Sequence, residues 1–132
     1  MEADLRALLA ASPGVAALAQ TRVGWGVRPQ GGALPAVTLM TVSTVRGYTM
    51  RGADDLTTTR VQADCFDATL TGAKALAAAV VAAASGFAGL VGGTRFLAVF
   101  VDGPRDFYDA GETETAALYR CTLDLIIHHR SA

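Results

Sequence analysis

The 132-residue sequence has little of several features that usually indicate a function. It contains two cysteines, one tryptophan, two histidines and a single lysine, and its eleven basic residues nearly balance twelve acidic ones. A net charge of −1 gives no general attraction for nucleic acid or for anionic membranes. Cys65 and Cys121 allow one disulfide at most, and reduced thiols in the core are the better expectation for a cytosolic protein.

Long hydrophobic runs are also missing. The longest run, from Ala75 to Ala84, is about half the roughly 20 residues that a membrane-spanning helix needs. Glu2 and Asp4 lie where a signal peptide would carry basic residues, and no apolar segment with a small-residue cleavage site follows them. We therefore expect a protein that is made in the cytoplasm and that does not associate with a membrane.

The apolar residues that are present make up 52% of the chain, which suffices for a single globular domain over residues 1–132. Their spacing predicts a first helix over Glu2 to Ala11. A second short helix should follow, with Ser12 as its N-cap and Pro13 at its first position, towards Gln20.

The clearest helix comes later in the chain, with Thr71 as its predicted N-cap and Gly86 as its stop. One apolar stripe runs along it, formed by Ala73, Leu76, Ala77, Val80, Val81 and Ala84. The small alanine side chains would let this helix lie close against a sheet.

Strands are predicted where β-branched residues or strict alternation dominate. They cover Arg22 to Val27, Ala36 to Arg46, Leu56 to Ala68, Arg95 to Val101 and a final segment from Tyr119 to His128. Asp102-Gly103-Pro104 interrupts the fourth strand, after which the chain either pairs again through Phe107-Tyr108 or forms a loop. Composition predicts further loops at Arg28 to Gly32 and at Gly111 to Thr115.

These elements predict an α+β fold. The sheet should be mostly antiparallel, with about four main strands, one long helix packed on a face and short N-terminal helices. An open sheet of this kind has edge strands, and unpaired edges favour pairing with another copy or another protein.

The segment from Gly47 to Asp55 is too long for a tight hairpin turn, so it is either a protruding loop or the tip of an extended hairpin. We expect this segment, with two arginines at its base, to contact a neighbouring subunit or partner. An ordinary solvent-exposed loop is an equally weighted alternative. The candidate contact residues are Arg46, Tyr48, Arg51, Asp54, Asp55 and Arg60.

The residues that could take part in catalysis or bind a ligand do not form a recognisable site. His128 and His129 are adjacent in a strand, so they point to opposite faces and cannot easily bind one metal ion. The glycine-rich stretch from Gly86 to Gly93 follows a helix and lacks the lysine and hydroxyl residue of a phosphate-binding loop. Five acidic residues, Asp102, Asp106, Asp109, Glu112 and Glu114, do not have the spacing of a calcium loop. We predict no catalytic, cofactor-binding or metal-binding residues, and no enzyme.

Several segments, taken in order, resemble one protein family. The segments are Leu5 to Leu9, Pro13 to Leu18, Trp25-Gly26, Pro29 to Gly31, Leu34 to Val37, Arg60 to Cys65, Ala73 to Leu76, Tyr119-Arg120, Leu123-Asp124 and His129-Arg130. In this order they are similar to the small tail-completion proteins of siphophages and gene transfer agents, a family of unknown-function domains related to tail terminators. The resemblance covers nearly the full chain.

This resemblance implies a structural role in a virion or phage-like particle that is assembled in the bacterial cytoplasm. Tail terminators form a closed ring, typically a hexamer, on the head-proximal end of the tail tube. The implied partners are other copies of the chain, the tail tube protein and a head-side stopper or connector. DNA would pass through the lumen without specific binding, which suits the near-neutral charge.

Two other functions stay open at this point. The nearer alternative is another neck component, a stopper or an adaptor, which would have a similar size and similar interfaces. The more distant one is an α+β domain that binds a small molecule.

Overall fold

The chain, as a computed structural model, is described over residues 1–26, 33–110 and 117–131. Helix α1 covers Glu2–Ala11 and helix α2 covers Pro13–Ala19, which confirms the two predicted N-terminal helices. Ser12 lies between them with an extended backbone, but its side chain makes no capping hydrogen bond. Helix α2 instead begins on Pro13, whose fixed φ suits the first helical position.

The long helix α3 covers Leu70–Ala84. Its N-cap is Thr69, which accepts a hydrogen bond from the backbone N–H of Gly72 at 3.0 Å, so the predicted cap at Thr71 is wrong by two residues. Both threonines fit the sequence rule for a cap, and only the backbone distinguishes them. After the helix, Gly86 has a φ of 73°, a conformation that favours glycine.

Within the described residues, six strands form one sheet in the order β1-β2-β3-β6-β5-β4. The strands are β1 (Val23–Trp25), β2 (Ala36–Thr49), β3 (Gly52–Asp67), β4 (Gly89–Val91), β5 (Thr94–Ala110) and β6 (Ala117–Ser131). All neighbouring pairs are antiparallel except β1 with β2. The prediction of about four main strands therefore holds for the long ones, and it missed that the sheet has six.

Two features of the sheet differ from the sequence prediction. Strand β4 lies in the glycine-rich stretch that was interpreted as a connection, and Gly89 pairs there with Phe96. Strand β5 continues through Asp102-Gly103-Pro104, because a register shift between Asp102 and Arg105 absorbs the interruption and pairing resumes. The predicted loops at Arg28 to Gly32 and Gly111 to Thr115 both lie outside the described residues.

The three helices cover one face of the sheet, here called the helix face. The other face carries no helix of the described chain and is called the open face. The helix-facing side chains of β3 and β6 alternate with open-face residues, as the alternation of their sequences predicted. The buried core comprises Leu5, Leu9, Val15, Val37, Leu39, Val61, Ala63, Cys65, Leu76, Val80, Phe96, Val99, Cys121, Leu123, Leu125 and Ile127, with smaller neighbours.

Candidate assembly surfaces

The hairpin of β2 and β3 extends beyond the rest of the sheet. Thr57 is the last residue of β3 to pair with β6, opposite His129. Residues 47–56 therefore pair only within the hairpin, and we call them the arm. Of the two predicted conformations for this segment, the extended hairpin tip is the one observed.

The arm is held together by strand pairing and hydrogen bonds within the hairpin. Its strands meet in a two-residue turn at Met50 and Arg51, and Gly52 follows with a φ of 125°. The N–H of Arg51 donates to the Thr49 hydroxyl at 3.3 Å, and the N–H of Leu56 donates to the Asp54 carboxylate at 3.2 Å. The arm thus reaches away from the core without support from it.

Large apolar side chains are exposed on and next to the arm. Tyr48 is 71% exposed, Val45 is 64% exposed, and Met50 is fully exposed at the turn. Single exposed apolar residues are common on protein surfaces, but several on one projecting hairpin are typical of an interaction site.

The structure brings five of the six predicted contact residues together and separates the sixth. Tyr48, Arg51, Asp54 and Asp55 lie on the arm and are exposed, and Arg46 lies at its base. Arg46 lines a shallow depression on the helix face, together with Met1, Glu2, Ala3, Thr41, Thr44, Thr57, Thr59 and His129. Arg60 is a different case, because its side chain lies on the open face within the sheet.

On the open face, Arg60 donates to Asp124 at 3.1 Å across the β3–β6 pair. Arg105 on β5 approaches the same carboxylate at 3.4 Å. Only 15% of the Asp124 side chain is exposed. One largely buried carboxylate therefore joins three adjacent strands.

A second carboxylate on the open face, that of Asp64, also joins neighbouring strands, and its cross-strand partner Thr122 is two residues from Asp124 on β6. Asp64 on β3 accepts from the Thr122 hydroxyl at 2.8 Å and from the Gln62 amide at 3.1 Å. Arg120 lies 3.9 Å from Asp64, and its guanidinium carbon lies 4.5 Å above the ring of Phe107. The open face therefore carries a network of ion pairs and hydrogen bonds between neighbouring strands rather than separately solvated charges. Sequence patterns did not predict this network, because it depends on which residues of neighbouring strands lie side by side.

The two histidines point to opposite faces, as predicted. His128 shares a hydrogen bond with the Thr58 hydroxyl at 2.9 Å, and His129 shares one with the Thr59 hydroxyl at 2.8 Å. Burial, followed by the nearby N-terminus and His128, lowers the pKa of His129 below its usual 6.5. Across the described ranges, no three His, Cys, Asp or Glu side chains are grouped as a metal site would require.

The cysteines are buried free thiols that lie opposite each other on β3 and β6. Burial raises the pKa of Cys65, and burial with a hydrogen bond to Asp106 raises that of Cys121 to about 11. Nucleophilic cysteines need the reverse shift, because the thiolate is the reactive form.

Of the acidic group, Asp106 bonds Lys74 at 3.0 Å and accepts from the Cys121 thiol at 3.3 Å. These two hydrogen bonds, that of Lys74 first, lower the pKa of Asp106. Asp102 is exposed on β5, while Glu112 and Glu114 fall outside the described residues. The ion pair of Asp106 with Lys74 therefore joins strand β5 to helix α3, and the described members of the acidic group form no set of metal ligands.

Comparison with protein families identifies the family of the chain. The model of the tail completion protein gp17 family matches residues 3–129. The chain belongs to this family. The match includes the arm and every long strand, and it confirms the family predicted from the ordered segments. No curated protein sequence matches the tail completion chain significantly.

The fold also occurs in a solved structure. A chain of the "Virion of native gene transfer agent (GTA) particle" superposes with a TM-score of 0.71 and 24% sequence identity, covering 99% of this chain and 93% of that one. At this identity the similarity supports the fold. In the described part of this tail completion protein, no helix is both long and apolar enough to cross a membrane.

Proposed function

We propose that this tail completion protein is a tail terminator, which forms a closed ring on the tail tube and joins it to the head-side connector. The observation that carries the proposal is the family match over residues 3–129. The similar chain in a gene transfer agent virion supports a place in an assembled particle. The role is structural rather than enzymatic, and its working parts are surfaces.

The proposal implies three kinds of contact. Copies of the chain bind one another in the ring, with six copies as the expected number. One side of the ring binds the tail tube protein, and the other binds a stopper or connector at the neck of the particle. DNA passes through the lumen, and a chain with a net charge of −1 would let it pass without tight binding.

Within this proposal the arm is a subunit or partner contact. It projects from the sheet, it is held by its own hydrogen bonds, and it exposes Tyr48 and Met50. Reversal of the charge at the turn by Arg51→Glu should change assembly. Folding should be unaffected, because an exposed side chain at a turn contributes little to it. Unchanged assembly of a folded R51E protein would count against this contact.

Deletion of the gene in its own phage or particle tests the function. We expect overlong tails without heads, and complementation by the wild-type gene should restore tails of normal length. Electron microscopy of negatively stained particles measures both properties. Normal-length tails without heads would instead indicate a stopper or adaptor, and normal particles would contradict every neck role.

A further inference from the structure

Both sides of the open face carry exposed apolar residues. On the β2 side, Met40 is 51% exposed and Val45 is 64% exposed. On the β5 side, Leu90 is 55% exposed and Phe100 is 57% exposed. We call these the β2 margin and the β5 margin. Because β2 and β5 lie on opposite sides of the central β3–β6 pair, each protomer presents two separate apolar margins.

The charges beside these margins are opposite in sign. Arg95 and Arg130 are direct cross-strand partners on β5 and β6, and both are exposed. Within the described chain, neither arginine forms an ion pair. Like charges in direct cross-strand register repel each other, so this arginine pair favours an external anion.

The arm next to the β2 margin carries the matching anions. Asp54 and Asp55 are adjacent and exposed, and no cation among the described residues pairs with them. The arm's own cation, Arg51, lies at the turn, three residues before Asp54.

The two charged groups lie at the same end of the sheet but on opposite sides. The arm leaves the sheet beyond the Thr57–His129 pair, and Arg130 is the next residue along β6. Copies placed side by side in one orientation would therefore bring the arm of one copy near the arginine pair of the next. Self-pairing of either surface about a two-fold axis would instead bring like charges together, which is costly.

Backbone pairing between the two margins is disfavoured by their irregular edges. Strand β2 has register shifts between Thr41 and Ser43 and between Arg46 and Tyr48. Strand β5 has a shift at Leu97 and another around Pro104, which lacks an N–H to donate. Strands β1 and β4 cover short parts of β2 and β5, and bulges of this kind protect the uncovered parts from continuous ladders with another chain. We therefore expect a contact here to be made by side chains.

We infer that the β2 margin and arm of one copy bind the β5 margin of the next copy head to tail, with Asp54 facing Arg95 and Arg130. Asp55 points to the opposite side of the strand and adds to the negative charge of the arm. The occupant of each margin is thus a second copy of this chain. The inference rests on the proposed ring and names its repeating interface. Each surface is used once per copy, as a closed ring requires.

Charge reversal of each surface tests this interface by native mass spectrometry over a concentration series. The variant D54R/D55R and the variant R95E/R130E should each need a concentration at least about tenfold higher than the wild type to assemble. An equimolar mixture of the two should recover assembly, because each reversed arm then faces a reversed arginine pair. The mixed rings should contain both chains in equal numbers.

Lys74→Glu is the matched control, because Lys74 lies on α3 away from both margins and its ion pair is exposed. This variant should assemble like the wild type, and thermal melts should show that all variants fold. A wild-type chain that stays monomeric at every concentration would overturn the inference. Single-surface variants that assemble normally, or a mixture that fails to recover, would overturn it as well. Tail length in the particle tests the proposed function separately, so the two can fail independently.

Discussion

Asp102 and Asp124 are directly opposite each other on β5 and β6, yet only Asp124 is paired with arginines. Asp124 is largely buried between Arg60 and Arg105, whereas Asp102 is exposed. The two side chains are chemically identical, but their surroundings differ, so we expect them to contribute differently to the free energy of unfolding.

Asp124→Asn should lower the free energy of unfolding by about 1–2 kcal/mol, since it weakens two bonds to partly exposed guanidiniums. Asp102→Asn is the matched control and should change stability by less than about 0.5 kcal/mol, or slightly increase it, because it removes a like-charge neighbour. Urea denaturation measures both. Equal effects of the two substitutions would contradict the assigned network.

Thr69→Ala should destabilise the protein by about 1 kcal/mol, because it removes the side-chain acceptor for the Gly72 N–H at the start of α3. Thr71→Ala should be neutral or slightly stabilising, since Thr71 is exposed inside the helix and alanine is the better helix former. Thermal denaturation of the two variants distinguishes the caps, and a larger loss for T71A would show that the helix begins later.

Ala73→Leu should destabilise the protein by about 1–3 kcal/mol, because Ala73 is fully buried on α3 within the packed core. Ala82→Leu on the exposed side of the same helix is the control and should be nearly neutral. Chemical denaturation provides the comparison. A neutral A73L would mean that the helix does not lie close to the sheet.

Stability should fall as the pH decreases below about 6.5, in part through His129. Its pKa is lowered in the folded protein, so the unfolded chain takes up the proton first. The contribution of neutral His129 to stability is fully present above the pKa of the unfolded chain, about 6.5, and is lost as the pH falls towards the lowered pKa of the folded protein. His129→Gln should reduce this dependence between about pH 7 and pH 5. Melting temperatures across this range measure it, and an unchanged slope in H129Q would rule out the assignment.

Sequence patterns predicted those elements whose signal is local. The bounds of α1 were correct because Leu5 and Leu9 lie one turn apart and Ser12-Pro13 ends the helix. The alternation in β6 was correct because its apolar residues share one face over most of the strand. Strand β4 was missed, since a three-residue strand in a glycine-rich stretch is specified by its partner β5 rather than by its own residues.

The candidate surfaces were predicted less completely, for the same reason. The arm was recognised from its length and position between two strands. The pairing of Arg60 with Asp124 and the adjacency of Arg95 and Arg130 depend on the registers of β6 with its two neighbours. Arg60 and Asp124 are 64 positions apart in the sequence, and Arg95 and Arg130 are 35 positions apart. No local pattern encodes the register that brings such distant residues together.

The order of the strands also has a consequence for how the protein is made. β6 is the last strand to be synthesised, yet it lies in the middle of the sheet between β3 and β5. During synthesis, β1–β2–β3 and β4–β5 would form two incomplete halves of the sheet. The facing edges of β3 and β5 stay unpaired until residues 117–131, which form β6, leave the ribosome. A translation product that is interrupted before residue 117 would therefore lack the strand that joins the two halves of the sheet.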